Sequence, residues 1–125
     1  MKKQQISLVL IALVAVAFAA MACGKKSATP TDVAKTLFDA QMKKDGAAMK
    51  KLLSKGSLKM AEEAAQQRGI TLEQLLTGKT PTAMPECRDE KVDGDKATVT
   101  CTGGGVPERP MQFVKEDGEW KFEGK

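Results

Sequence analysis

The sequence predicts an α+β protein in which N-terminal helices pack on an antiparallel sheet of about four strands. Two observations carry that prediction. Between Thr29 and Thr77 apolar residues recur at three- and four-residue intervals, the period of helices with one buried face. From Pro81 onward the texture changes to short alternating runs separated by Asp93-Gly94, Gly103-Gly104-Gly105 and Asp117-Gly118, the punctuation of hairpins. Helices followed by hairpins give segregated layers and an antiparallel sheet, where alternating strands and helices would give a parallel one.

The chain begins with a basic start, Met1-Lys2-Lys3, and an apolar run from Ile6 to Ala22 interrupted by Ser7 alone, the pattern of an export signal over residues 1–22. A run of that length sits at the bottom of the membrane-spanning range and ends in small residues, which favours removal over a retained membrane helix. Ala20-Met21-Ala22-Cys23-Gly24 resembles a bacterial lipobox, the site at which a cysteine is lipidated and becomes the first residue. Ala20 stands where leucine is usual, and Ala20-x-Ala22 also suits an ordinary signal peptidase cutting at the same point. Acylation is favoured, since a free Cys23 thiol would be a reactive liability and would leave one cysteine over. Several acyl chains hold a protein on a bilayer stably.

Residues 23–30 then form a lipidated tether. Its Lys25 and Lys26 have two readings of equal standing: contacts to anionic headgroups, at roughly 1 kcal/mol each, or solvation of the linker. Cleavage before Cys23 takes away Lys2 and Lys3 and no acid, lowering the formal charge from +4 to +2. The expected address is the bacterial cell envelope. Lipoprotein sorting rules imply that Gly24, not being aspartate, leaves the protein free to reach the outer membrane facing the periplasm, if the organism has one.

The domain itself occupies residues 31–125. Thr29-Pro30-Thr31-Asp32 joins a hydroxyl N-cap, proline at the first helical position and an early acid, so a helix starts there. Val33, Ala34, Leu37, Phe38 and Met42 form its apolar stripe. Asp45-Gly46 interrupts it, and Ala47 to Ser54 predicts a second short helix ending at Lys55-Gly56 with glycine as the C-cap. A third helix is expected over Leu58 to Arg68, stopped by Gly69. Thr71-Leu72-Glu73-Gln74 is a capping box for a last turn or two through Thr77.

Four strands are predicted, at Cys87–Val92, Lys96–Thr102, Arg109–Lys115 and Glu119–Glu123. A two-residue turn at Asp117-Gly118 pairs Phe113 with Phe122 and Lys115 with Trp120, so Met111, Phe113, Trp120 and Phe122 share one face. That face has to be covered by the helices. Cys87 and Cys101 lie equally far from Gly94 in two strands that fold together, and in an exported setting they are expected to form a disulfide stabilising the fold by about 3 kcal/mol. Direct opposition of the two needs a bulge or an odd loop, because a tight turn at Asp93-Gly94 would set Cys87 beside Thr100. Two buried free thiols are the other reading.

Composition narrows the chemistry. With no His and no Tyr, His-based triads, Cys-His dyads, His-ligated zinc or haem and tyrosine acids are all excluded. No metal and no cofactor is expected. Thr77-Gly78-Lys79-Thr80 imitates the end of a phosphate-binding loop, but Glu73 stands where its first glycine belongs. The adjacent acids Glu62-Glu63, Asp89-Glu90 and Glu116-Asp117 diverge from one another on a helix or strand and make no acid/base pair. Lys43, Lys44, Lys50, Lys51, Lys55 and Lys59 gather around the second helix, where they either face an anionic envelope polymer or lipid, or form a solvated surface. Nucleic acid is not an expected partner, given export and a precursor with only four Phe and one Trp to stack on bases.

Four stretches carry a family resemblance: Pro30-Thr-Asp-Val-Ala-Lys-Thr-Leu-Phe38, Lys44-Asp-Gly46, Val92-Asp-Gly-Asp-Lys-Ala-Thr-Val99 and Val114-Lys-Glu-Asp-Gly-Glu-Trp-Lys-Phe122. Over about residues 29 to 124 the chain resembles small bacterial lipoproteins of the nuclear transport factor 2-like superfamily. The resemblance implies a curved antiparallel sheet wrapped on helices as a half-open cone, with Phe38, Asp39, Met111, Phe113 and Phe122 as candidates to line its cavity. Asp39 is the single carboxylate to inspect there; a solvated helix face is its plainer role. Enzymes of the superfamily work inside the cone with His, Asp or Tyr, and two of those types are missing here. Ala47 also stands where an aromatic residue often follows the glycine.

The expected function is therefore a lipid-anchored, non-enzymatic envelope domain that binds a peptide, a lipid or a partner protein. The alternative is a small isomerase or hydrolase relying on a carboxylate in the cavity. A cone filled by Phe38, Met111, Phe113 and Phe122 would argue against the enzyme.

Overall fold

The computed structural model describes residues 28–124. The export signal of residues 1–22, Cys23 and most of the tether lie outside the described residues. Four helices precede four strands among them: α1 (Pro30–Met42), α2 (Gly46–Leu52), α3 (Lys55–Arg68), α4 (Leu72–Thr77), then β1 (Glu86–Asp93), β2 (Lys96–Gly103), β3 (Val106–Glu116) and β4 (Glu119–Glu123). The strands form one open antiparallel sheet in the order β1-β2-β3-β4. The expected α+β class and hairpin order are observed. No helix among the described residues is long and apolar enough to cross a membrane.

The start of α1 is fixed twice. Thr29 is the predicted hydroxyl N-cap, and with Asp32 it completes a capping box, each side chain accepting from the other's backbone N–H. Glu90, reaching over from β1, accepts from both the Thr31 N–H and its hydroxyl at 2.9 Å. A carboxylate placed there also meets the positive end of the helix dipole. At the other end Lys44 takes a left-handed conformation, φ +54, and the Asp45 and Lys44 amides return to the carbonyls of Ala40 and Gln41. That is a Schellman stop built on a lysine. Gly46, expected to break the helix, is the first residue of α2 under an Asp45 N-cap.

The second helix is shorter than predicted. It ends at Leu52, Leu53 is extended, and Ser54 N-caps α3 through the Ser57 amide. Gly56 is therefore helical, and the predicted glycine C-cap at Lys55-Gly56 is corrected. The reason is non-local: the Ser54 amide bonds the Phe122 carbonyl at 2.8 Å and Leu53 bridges the same residue, so the chain lies along the outer edge of β4. A covered edge cannot recruit another strand.

Register in the last hairpin is as expected, with Phe113 opposite Phe122 and Lys115 opposite Trp120 across Asp117-Gly118. Both turn residues have positive φ, as the tightest hairpins demand. The long glycine connection is also a tight turn, Gly104-Gly105, so β3 begins at Val106, three residues before the predicted Arg109. Its first half runs beyond β4 and carries Pro107 and Pro110, which a strand edge tolerates.

The core lies between α1 and one sheet face. Val33, Ala34 and Phe38 pack on Ala97, Val99, Cys101 and Phe113, with Met111, Trp120 and Phe122 closing around them. Leu37, Ala40 and Met49 extend it under α2. Phe113 and Phe122 meet edge to face at 5.8 Å between ring centroids, an arrangement that adds about 1 kcal/mol to the burial itself.

Candidate functional site

A cleft of about 320 Å³ opens between α1 and the overhanging half of β3. Helical periodicity brings Leu37, Phe38 and Gln41 to one wall; strand alternation brings Arg109 and Met111 to the other, Val106 joins them from the start of β3, and Phe122 to Gly124 close one end. The cleft exists because β3 outruns β4, leaving part of the helix-facing surface uncovered. Arg109 and Glu123 are its charged lining residues.

Of the cavity candidates, the structure brings Phe38, Met111 and Phe122 to this cleft. Phe113 lies behind them, 1% exposed, as core. Asp39 does not line it: the side chain bonds Lys43 Nζ at 2.7 Å one turn along α1 and is about half exposed, which places it on the solvated face. Cys23 lies outside the described residues. Among the described residues no ionisable side chain is buried; the buried polar ones are Ser54 and Ser57, and no three His, Cys, Asp or Glu side chains come together as a metal would require.

Cys87 and Cys101 stand directly opposite each other with their sulfurs 2.09 Å apart. The register is reached by a route the sequence left open. Asp93 pairs with Lys96, so the turn residues are Gly94 and Asp95, one position later than Asp93-Gly94. A bulge between Arg88 and Lys91 then takes up one residue, with Asp89 at φ +56. The two changes together set Cys87 against Cys101 in place of Thr100. The same bulge aims Glu90 at the start of α1, a partnership between residues 59 positions apart that nothing local announces.

The lysine surface is partly neutralised. Lys43 pairs with Asp39, Lys50 on α2 with Glu73 on α4, and Lys55 approaches Asp117 at 3.9 Å. Hydrogen bonding to Lys50 holds the Glu73 carboxyl below its ordinary range, and the bond to Asp39 holds the Lys43 ammonium above its own.

A second opening was not foreseen. It lies among the helices, between α1, α2 and α4, and measures about 480 Å³. Its signal in the sequence was a short helix, Leu72–Thr77, too small to bury its own leucines; none of its residues is fully buried. The fold and the two clefts define an α+β protein with helices on one face of an open antiparallel sheet. Compared with protein-family models, with curated proteins and with solved structures, the chain matches none.

Proposed function

We propose that this is a lipid-anchored bacterial envelope lipoprotein whose α+β domain, of nuclear transport factor 2-like architecture, binds a ligand or partner without catalysing a reaction. The observation that carries binding over catalysis is the character of the interior. Phe38 and Phe113 are 5% and 1% exposed, Phe122 packs on them, and the clefts beside them are lined mainly by apolar and neutral side chains. Proton transfer needs a titratable group held within hydrogen-bond reach of a bound substrate. Asp39, the carboxylate such a mechanism would have used, is tied to Lys43 on the outside.

The export half of the reading draws on the lipobox-like Ala20 to Cys23 and on the paired Cys87 and Cys101, which suit an oxidising compartment. Partners are then the membrane, through the acylated Cys23, and an envelope protein, peptide or lipid at the domain. The architecture draws on the capped α1 lying across the sheet and on the meander of Asp-Gly hairpins. Mass spectrometry of the N-terminal peptide from the native host tests the anchor: a diacylglyceryl thioether on Cys23 is expected. An unmodified Cys23, or a chain still beginning at Met1, overturns it.

A further inference from the structure

The opening among the helices has a composition that selects a ligand. Leu37, Leu53 and Phe122 give it an apolar floor, and α4 brings half-buried Leu75 and Leu76 to its wall, with Ile70 beside them 38% exposed. At about 480 Å³ it has the size of a site for one small molecule. Its charged lining residues have one sign: Arg68, at the end of α3, and Lys79, just past α4. Neither belongs to an ion pair among the described residues, so both are free to meet an anion at the mouth of this opening.

An apolar cleft with two uncommitted cations complements an apolar body carrying an anionic head. The geometry points to a long-chain fatty acid as the occupant, its chain against Leu53, Leu75, Leu76 and Phe122 and its carboxylate at Arg68 and Lys79. A guanidinium receives a carboxylate through two parallel N–H···O bonds, and a lysine supplies a second point charge. A neutral amphiphile would gain nothing from the two cations, and a cationic one would be repelled. The inference rests on the reading of the domain as a binding module; it does not need the lipid anchor.

The test uses the full chain in zwitterionic phosphatidylcholine nanodiscs, irradiated with hexadecanoic acid carrying a diazirine in its chain, followed by mapping of the labelled peptides. Label is expected on the peptides holding Ile70 to Leu76 and Phe122. It should fall at least fivefold with excess unlabelled hexadecanoate, and stay within twofold with hexadecylamine. An Arg68→Gln/Lys79→Gln double variant, changed at two exposed positions, should keep its circular dichroism and melting temperature and lose at least fivefold of the label. Equal competition by hexadecylamine, undiminished label in the double variant or label confined to other peptides overturns the proposal. So does competition by a phosphate-headed lysophospholipid where hexadecanoate has none. A photo-crosslinking residue at Gln41, which lines both clefts, separates this failure from that of the broader reading. Capture in cells of a ligand of another class refutes only the fatty acid. No capture at Gln41, together with no acyl label, refutes the binding module as well.

Discussion

A methyl group added at Gly104 would collide with the carbonyl oxygen of Ala83 and lie 3.0 Å from two further Ala83 backbone atoms. The same methyl at Gly105 would meet nothing, although both residues have positive φ. Gly104→Ala is therefore expected to cost about 3 kcal/mol, combining left-handed strain with overpacking. Gly105→Ala should cost about 1 kcal/mol, from strain alone. Urea unfolding of the two variants measures the difference, and equal losses would show that the Ala83 segment yields. Lys44 gives the opposite sign. It sits at φ +54 on the exposed end of α1, so Lys44→Gly should raise stability by up to about 1 kcal/mol. Ser57 is a third single-residue case. Its hydroxyl accepts from the Gly124 amide at 2.8 Å and from Ser54 Oγ at 2.9 Å. Ser57→Ala strands both donors and should cost about 2 kcal/mol, with faster hydrogen exchange at the Gly124 amide as its local mark.

Among the elements, legibility in the sequence followed the range of the interaction that sets each boundary. The N-cap at Thr29 and the capping box at Thr71 act over three residues and were readable, as was the Asp117-Gly118 hairpin that aligns Phe113 with Phe122. The break at Leu53 was not readable, because it answers to the Phe122 carbonyl. Nor was the bulge in β1, whose visible consequence is Glu90 bonding Thr31 across the fold. The candidate site divides the same way. Periodicity put Phe38, Met111 and Phe122 on apolar faces and the family resemblance made them cavity candidates, but the cleft of Arg68 and Lys79 depends on how α4 closes against α1 and α2. The disulfide tests the element scale directly, since it ties the exposed edge strand β1 to buried Cys101 on β2. Reduction should lower the unfolding free energy by about 3 kcal/mol, read as a shift in urea midpoint with and without reductant. An unchanged midpoint would mean that the bulge and the Glu90 contact hold β1 unaided.

For the molecule as a whole, a few exposed charged groups that are hydrogen-bonded in the fold give stability a modest pH dependence. Asp32 is held below the ordinary carboxylate range first by the Thr29 backbone N–H, and Glu73 first by its bond to Lys50. A carboxyl depressed in the folded state contributes stability above its unfolded value near pH 4, and that contribution disappears as pH falls through the folded value. Lys43 is raised by Asp39, so its contribution is full below about pH 10 and is lost at higher pH. The melting temperature should therefore hold a plateau between about pH 5 and 10 and fall on both sides. The acid limb identifies the groups. Glu73→Gln should flatten it without moving the plateau far, because the Lys50 pair is solvent-exposed and screened. Asp32→Asn should flatten it too, but with a lower plateau, since the capping box and its dipole contact are weakened at every pH. High salt should reduce the Glu73 effect more than that of Asp32, whose strongest partner is a backbone amide. An acid limb unchanged in both variants would transfer the transition away from Asp32 and Glu73.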